Sequence, residues 1–416
     1  MRMLSAALLC AGLLSAARIG AADPPNIVLI ISDDQAWNDY SFMEHPAIQT
    51  PHIDRLARQG VCYTRGYVPA SLCRASLMSI ITGLYPHQHL VTGNDPPKGT
   101  DRGLMLEHVR RLPTLPKLLA EKGYVSFQSG KWWEGNYREG GFTAGMTHGD
   151  VKRGGRHGDE GLKIGRQGLK PIYDLLESRG DKPFFLWYAP MLPHQPHNPP
   201  QRLLDKYVAK TDSLHVAKYW AMCEWFDETC GELLDYLDKQ GLAENTLVIY
   251  VTDNGWIQEP AAARFAPRSK RSPNEGGIRT PIILRWPGHI QPKRDDQSLV
   301  SSLDVAPTIL AAAGISPTKQ MTGINLLDVA AGKRPAHETL AGEIFEHDVA
   351  DLAQPTKGLL FRWCIRSRWK LIESADGGQR ELFDLASDPH ESRSVAADHA
   401  DVAGDLAQQM RAVWNP

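Results

Sequence analysis

Four short apolar runs constrain this chain more than any other feature: Asn26 to Ser32, Phe184 to Tyr188, Thr246 to Thr252 and Pro281 to Trp286. Each has strand length and is apolar on both faces, the pattern of strands covered on both sides in a parallel sheet. Helical patterns lie between them. The clearest runs from about Ser213 to Lys239, where Val216, Tyr219, Cys223, Phe226, Cys230, Leu233 and Leu237 recur at helical spacing and Gly241 ends the run. Strands alternating with helices predict an α/β sandwich on a mostly parallel central sheet. At 416 residues the chain suffices for one large domain or two moderate ones.

In such sheets ligands collect beyond the carboxyl ends of the strands. The first run delivers Asp33 and Asp34 there, and the third delivers Asp253-Asn254-Gly255. One Asp pair after a strand is ordinarily a cap or a turn. Two such pairs at two strand ends make a candidate site for a hard divalent cation, calcium or magnesium, because all four side chains offer oxygen.

Further along, Leu303 to Gly314 reads as a helix with Pro307 in its first turn. Ile315 to Pro335 is loop-rich and divides the mature chain into a larger domain over 23–315 and a smaller C-terminal unit over 316–416. The latter has a strand pattern over Phe361 to Glu373, the run Glu381-Leu382-Phe383-Asp384-Leu385, and a final helix from about Asp398 to Trp414. Gly135 to Gly168 is rich in Gly, Arg and His. Its plainer reading is a solvated insertion; its functional reading is a loop lining a cleft for an anionic ligand.

Arg2, the apolar stretch Leu4 to Leu14 and Gly20-Ala21-Ala22 make residues 1–22 a signal peptide, so the protein is expected to be secreted or periplasmic. No stable membrane anchor is expected, since the apolar stretch is too short to span a bilayer and Leu9 is too large for a lipoprotein signal at Cys10. The 46 basic and 48 acidic side chains argue against a nucleic-acid partner. Beyond the leader remain Cys62, Cys73, Cys223, Cys230 and Cys364, an odd set for an oxidising compartment. Cys223 and Cys230 stand two helical turns apart, roughly 10 Å, beyond disulfide reach. All but Cys73 read as small buried hydrophobes.

Cys73 stands in Ser71-Leu72-Cys73-Arg74-Ala75-Ser76-Leu77, closed by Ile81-Thr82-Gly83. Around it in order come the Asp33-Asp34 pair, Thr50-Pro51-His52-Ile53-Asp54-Arg55-Leu56, Gly130-Lys131-Trp132, Pro193-His194-Gln195-Pro196 and Asp253-Asn254-Gly255. Lys270 then precedes Glu275-Gly276-Gly277, and the series ends with Asp388-Pro389-His390-Glu391. In this order the motifs resemble those of the sulfatase family within the alkaline phosphatase-like superfamily, over nearly the whole mature chain.

The resemblance implies an alkaline phosphatase-like α/β/α sandwich with a smaller C-terminal α+β subdomain. It implies a calcium ion held by Asp33, Asp34, Asp253 and Asn254, with magnesium as the alternative. Cys73 is implied as the nucleophile after oxidation to formylglycine, Lys131 and Lys270 as ligands of the sulfuryl group, and His194 as the residue that stabilises or protonates the leaving oxygen. The expected partner is a sulfated small molecule or polysaccharide. Three positions depart from the family pattern: Ala75 stands where Pro is expected, Leu77 where Arg is expected, and Trp133 where a His is expected. The first two weaken the signal for formylglycine formation. Arg74 is not expected to replace the guanidinium, because three residues along a helix turn it to another angle. His148, His157, Lys163 and Arg166 of the insertion are candidates to fill the gaps. Two alternatives stay open: a phosphate or phosphonate ester hydrolase on the same scaffold, and a non-catalytic homologue that binds sulfated ligands.

Overall fold

The first apolar run forms β1 (Asn26–Ser32), with every residue buried, in the middle of a nine-stranded sheet. The computed structural model describes residues 23–153 and 155–414; the signal peptide expected over residues 1–22 lies outside the described residues. The other strands of this sheet are β2 (Val61–Tyr67), β3 (Val125–Gly130), β4 (Ala144–Gly145), β5 (Phe184–Ala189), β6 (Thr246–Thr252), β7 (Arg279–Arg285), β8 (Lys293–Asp295) and β9 (Val300–Ser301). Their order is β4-β3-β5-β1-β6-β7-β2-β8, with β9 also on β2.

All neighbours pair in parallel except at β7, which runs antiparallel to both β6 and β2. The expectation that Pro281 to Trp286 would be a parallel strand is therefore corrected. A parallel strand needs a crossover that carries the chain back to the other end of the sheet. The connection from β6 makes none, so β7 starts at the carboxyl end, where β6 finished.

Alternation along β1 sends Ile27, Leu29 and Ile31 to one side layer and Val28 and Ile30 to the other. The first layer contains the helix Cys73–Thr82; the second contains the long helix Leu214–Lys239, capped by Ser213 Oγ on the Val216 N–H. Each aliphatic side chain so buried contributes about 1.5–3 kcal/mol. That offsets the uncompensated polar oxygens carried at the strand ends, at about 1–3 kcal/mol each.

The C-terminal strands β10 (Thr339–Phe345), β11 (Leu359–Arg366), β12 (Trp369–Ser374) and β13 (Arg380–Asp384) form an antiparallel sheet in sequence order. One face carries Cys364, Leu371 and Leu382 against Leu406, Ala407 and Met410 of the terminal helix Ala400–Trp414. The other carries Ile344, Trp363, Ile365 and Phe383 against Tyr67, Val68 and Ile278, beside the nine-stranded sheet. The loop-rich stretch from Ile315 to Pro335 holds one short helix, Leu326–Ala330. Cys62, Cys73, Cys223, Cys230 and Cys364 are all free and buried. Among the described residues no helix is long and apolar enough to cross a membrane.

Candidate active site

Parallel register places the acidic residues. β1 and β6 pair from Asn26 with Thr246 to Ser32 with Thr252, so Asp33 and Asp253 leave adjacent strands at the same level. Asp34 turns back with a left-handed φ of 65°, and its N–H donates to Asp253 Oδ1 at 3.1 Å. Asn254 Nδ2 donates to Asp34 Oδ1 at 2.6 Å. Four oxygen-bearing side chains from two strand ends thus meet in one buried cluster.

Cys73 is the first residue of its helix and faces this cluster from the neighbouring layer. The whole helix is buried and ends at Gly83, whose φ of 66° and N–H bond to Ser79 O close it. Lys131 arrives from the end of β3. Gly130 before it has a φ of 84°, and a Cβ there would lie 1.9 Å from Ala189 O, so only glycine permits this approach to β5. Lys131 Nζ donates to Asp33 Oδ1 at 2.6 Å. Lys270 Nζ donates to Asp34 Oδ1 and Oδ2 at 2.6 and 2.8 Å and stands 3.1 Å from Cys73 Sγ. His194 Nδ1 donates to Gln195 O at 2.6 Å, which turns Nε2 toward Asp34 Oδ2 at 3.3 Å. All eight residues singled out in the sequence are brought together.

The electrostatics follow from burying three carboxyl groups with two ammonium groups. Burial alone would raise Asp34, but Lys270 first, then His194 and Lys131, hold its carboxyl well below the usual range. Asp253 is pushed well above that range by burial and by the charge of Asp33. Burial works to lower Lys131 and Lys270, yet both rise, Lys131 through Asp33 and Lys270 through Asp34. Burial pushes the Cys73 thiol up to about 12, against the pull of Lys131 and Lys270. Burial also lowers His194.

Asp33 Oδ2, Asp253 Oδ2 and Asn254 Oδ1 are buried and have no hydrogen-bond partner. Three unsatisfied acceptors in one place are costly, and a cation that accepts oxygen ligands removes the cost. Ligand atoms of Asp33, Asp34, Cys73 and His194 also lie within 4.8 Å of one another. The donor set fits a hard divalent cation held by Asp33, Asp34, Asp253 and Asn254.

Leu77 is buried in the apolar cluster with Cys73, Met78 and Ile81. Arg74 does not stand in for the missing guanidinium. It is 2% exposed and bound bidentately to Glu134, with Nε and Nη2 donating at 2.7 and 2.6 Å, and it also donates to Gly93 O and Met105 O. Glu134, three residues beyond Lys131, carries no motif signal in the sequence; only the fold brings it to Arg74. Trp133 is buried with Nε1 unpartnered, and its ring lies under Arg102, Arg156 and Lys131.

Of the four candidates from the insertion, His157 stacks on Trp133 with ring centroids 5.0 Å apart. Burial and nearby Lys131 and His194 lower its pKa to about 3, so it is a neutral imidazole. Arg166 donates to the carbonyls of Met191 and His194 and braces the His194 loop. Lys163 pairs with Glu160, and His148 uses its backbone N–H on Asp159. None of the four makes a hydrogen bond to Cys73; the insertion supports the site's walls.

Comparison with known proteins agrees with this architecture. The Sulfatase family model matches residues 25–315, and the model for the C-terminal region of N-sulphoglucosamine sulphohydrolase matches residues 267–415. Human arylsulfatase A is 30% identical over 379 residues, covering 77% of this chain and 71% of its own length. N-acetylgalactosamine-6-O-sulfatase of Bacteroides thetaiotaomicron is 25% identical over 497 residues, covering 94% of this chain and 93% of its own.

Two solved structures share the fold. Ps i-CgsB in complex with k-i-k-neocarrahexaose superposes with a TM-score of 0.77 at 23% identity, covering 93% of this chain and 92% of its own. A protein in complex with its substrate D-glucosamine-2-N,6-O-disulfate superposes with a TM-score of 0.75 at 20% identity, covering 94% and 98%. The chain belongs to the sulfatase family, whose members are sulfuric ester hydrolases.

Proposed function

We propose that this protein hydrolyses sulfate esters of a sulfated glycan, with Cys73 as the site of the nucleophile and a divalent cation, calcium by family resemblance, held by Asp33, Asp34, Asp253 and Asn254. The observation that carries the reading is the convergence of three unpartnered buried oxygens, two buried ammonium groups and Cys73 at the carboxyl ends of the central strands. A bound cation supplies charge neutralisation and polarisation of a sulfuryl oxygen, and formylglycine at position 73 supplies an oxygen nucleophile in place of sulfur.

The chain's own residues do the rest. Lys131 and Lys270 stay protonated through the neutral range and present positive charge where a sulfuryl group gathers negative charge. Lys270, beside Cys73, holds its ammonium against both the nucleophile and Asp34, so the position of attack is set before substrate arrives. His194 keeps Nδ1–H on Gln195 O, which aims Nε2 into the site; it protonates the departing oxygen only as the imidazolium, the form that Asp33 and Asp34 favour against burial. Relatives and fold neighbours named for sulfated sugars support a glycan substrate. The signal-like residues 1–22 support export, which suits a polymer outside the cell.

The test is a panel of aryl sulfates, sulfated oligosaccharides, aryl phosphates and phosphonates, with and without chelator. Chelator-sensitive release of sulfate is expected. Turnover confined to phosphorus esters would move the reading to the alternative hydrolase. Tight binding of sulfated oligosaccharides with no turnover of any ester would leave only the binding homologue.

A further inference from the structure

The loop that delivers Lys270 is backed by the C-terminal subdomain, and the contact is a buried clasp of charges. Lys370, on β12, is 0% exposed, and its Nζ lies 2.7 Å from Glu391 Oε1 and 3.1 Å from Glu275 Oε1. Glu391 Oε2 accepts the backbone N–H of Glu275 at 2.7 Å. Arg268 donates from its guanidinium to the backbone carbonyl of Glu391. Tyr67 Oη and Arg279 hold the other oxygen of Glu275 at 3.1 and 3.4 Å. Glu391 therefore touches the loop on both sides of Lys270, at Arg268 and at Glu275.

The loop has bonds of its own at Ser269, whose Oγ accepts from the Ile257 and Lys270 N–H groups, but Ser71 and Glu391 hold it from outside. Arg268 and Arg271 have φ of 58° and 67°, left-handed conformations that side-chain-bearing residues keep only when their surroundings enforce them. Arg271 is secured by its N–H on Ser71 O at 2.9 Å, two residues before Cys73. Arg268 is secured by Glu391, itself at φ 57°. Within the clasp the Lys370 ammonium and the Arg279 guanidinium face the carboxylates of Glu275 and Glu391, while Arg268 takes a backbone carbonyl, so removing either carboxylate strands buried positive charge.

We propose that Glu391, fixed by Lys370, is a positioning residue for Lys270, so that the C-terminal subdomain sets one wall of the active site. The proposal rests on the role given to Lys270 above. Loss of the clasp lets the Lys270 ammonium drift from Cys73 and Asp34 without touching either directly. A misplacement of that kind costs turnover on the order of a hundredfold.

Full-length protein carrying Glu391→Ala tests this by hydrogen exchange and by kinetics. Amide exchange within residues 267–278 is expected to accelerate by about tenfold or more, the loss of a charge-assisted hydrogen bond, while β1, β5 and the terminal helix exchange as in the parent. Turnover is expected to fall through kcat more than KM. In a Lys270→Ala background the same substitution is expected to cost no further activity, because the lysine it positions is gone.

Unchanged exchange over 267–278, or an equal fold-loss of kcat in both backgrounds, overturns the proposal. Should Glu391→Ala fail to fold, Glu391→Asp carries the same expectations, since it keeps a charge for Lys370 and withdraws from the Glu275 N–H. Exchange needs no substrate. A protein inactive on every ester with a loosened 267–278 segment would sink the sulfatase reading and leave the clasp standing.

Discussion

Lys270 Nζ stands 3.1 Å from Cys73 Sγ while the same ammonium closes on both oxygens of Asp34 at 2.6 and 2.8 Å. An ammonium held this way is a fixed charge and cannot serve as the base that activates the thiol. Burial pushes that thiol up to about 12, so an unmodified Cys73 keeps its proton throughout the neutral range. Iodoacetamide near neutral pH is expected to leave Cys73 unlabelled in folded protein and to label it in urea. In protein with sulfatase activity, mass spectrometry of the peptide is expected to show the aldehyde; a free thiol in fully active protein would remove formylglycine from the mechanism.

Restoring the maturation signal is expected to raise conversion. Ala75 is the third residue of its helix, and the first intrahelical bond is Ser76 N–H to Leu72 O, so Ala75→Pro removes no helical hydrogen bond. Leu77→Arg places a guanidinium in an apolar cluster and is expected to lower thermal stability. The double variant, co-expressed with a maturation enzyme, should show a larger converted fraction of the Cys73 peptide than the parent; an equal fraction would mean that neither position limits conversion.

Cation binding should depend on pH with a definite sign. Asp253 is held well above its ordinary value, so ionising it costs stability as pH rises above about 3.9 toward its raised folded pKa. Asp34 is held below its ordinary value, and the stability it contributes above that value is lost only as pH falls through its depressed folded pKa. A cation needs both ionised and displaces the proton from Asp253. Calcium is expected to raise Tm by more at about pH 8 than at about pH 5, with chelator reversing the effect. A Tm indifferent to millimolar calcium and magnesium at both pH values would contradict the assignment.

Lys131 is buried against Asp33, so Lys131→Ala removes a charge aimed at the reacting group and strands a carboxylate. Loss of kcat by roughly a hundredfold to a thousandfold is expected, as for other fixed charges at a developing anion. A fall of only a few-fold in steady-state assays would exclude the lysine from the sulfuryl site.

The Arg74 and Glu134 pair, both side chains 2% exposed, should act on stability rather than chemistry. Arg74→Ala is expected to cost about 3–5 kcal/mol in urea unfolding, because it leaves Glu134 charged and buried. Arg74→Met with Glu134→Leu is expected to recover much of that loss. No recovery would show that the guanidinium's bonds to Gly93 O and Met105 O matter more than the pair.

Some of this was legible in one dimension because its physics is local. The run Thr246 to Thr252 and the helix from about Ser213 to Lys239 read correctly from apolar spacing, with its stop before Gly241; the cap by Ser213 Oγ emerged only in the structure. β7 did not, since strand direction depends on which end of the sheet the chain has reached, and an apolar run looks the same in both directions. Asp33, Asp34, Asp253 and Asn254 were legible from their places after two strand runs, whereas Cys73, Lys131, His194 and Lys270 were singled out only through ordered resemblance.

The sequence by itself determined that this chain builds a sheet between helical layers and carries paired oxygen-bearing side chains, two motif lysines and one motif cysteine in the order of a sulfatase. Only the tertiary structure decided what those groups do to one another: that Arg74 is spent on Glu134, that Trp133 is stacked by His157, and that Lys370 and Glu391 back the loop of Lys270 from a hundred residues away. The physical reason is that periodicity records only which face of its own element a residue occupies. Burial, pKa and charge pairing arise where distant elements meet, and register and packing alone choose those meetings.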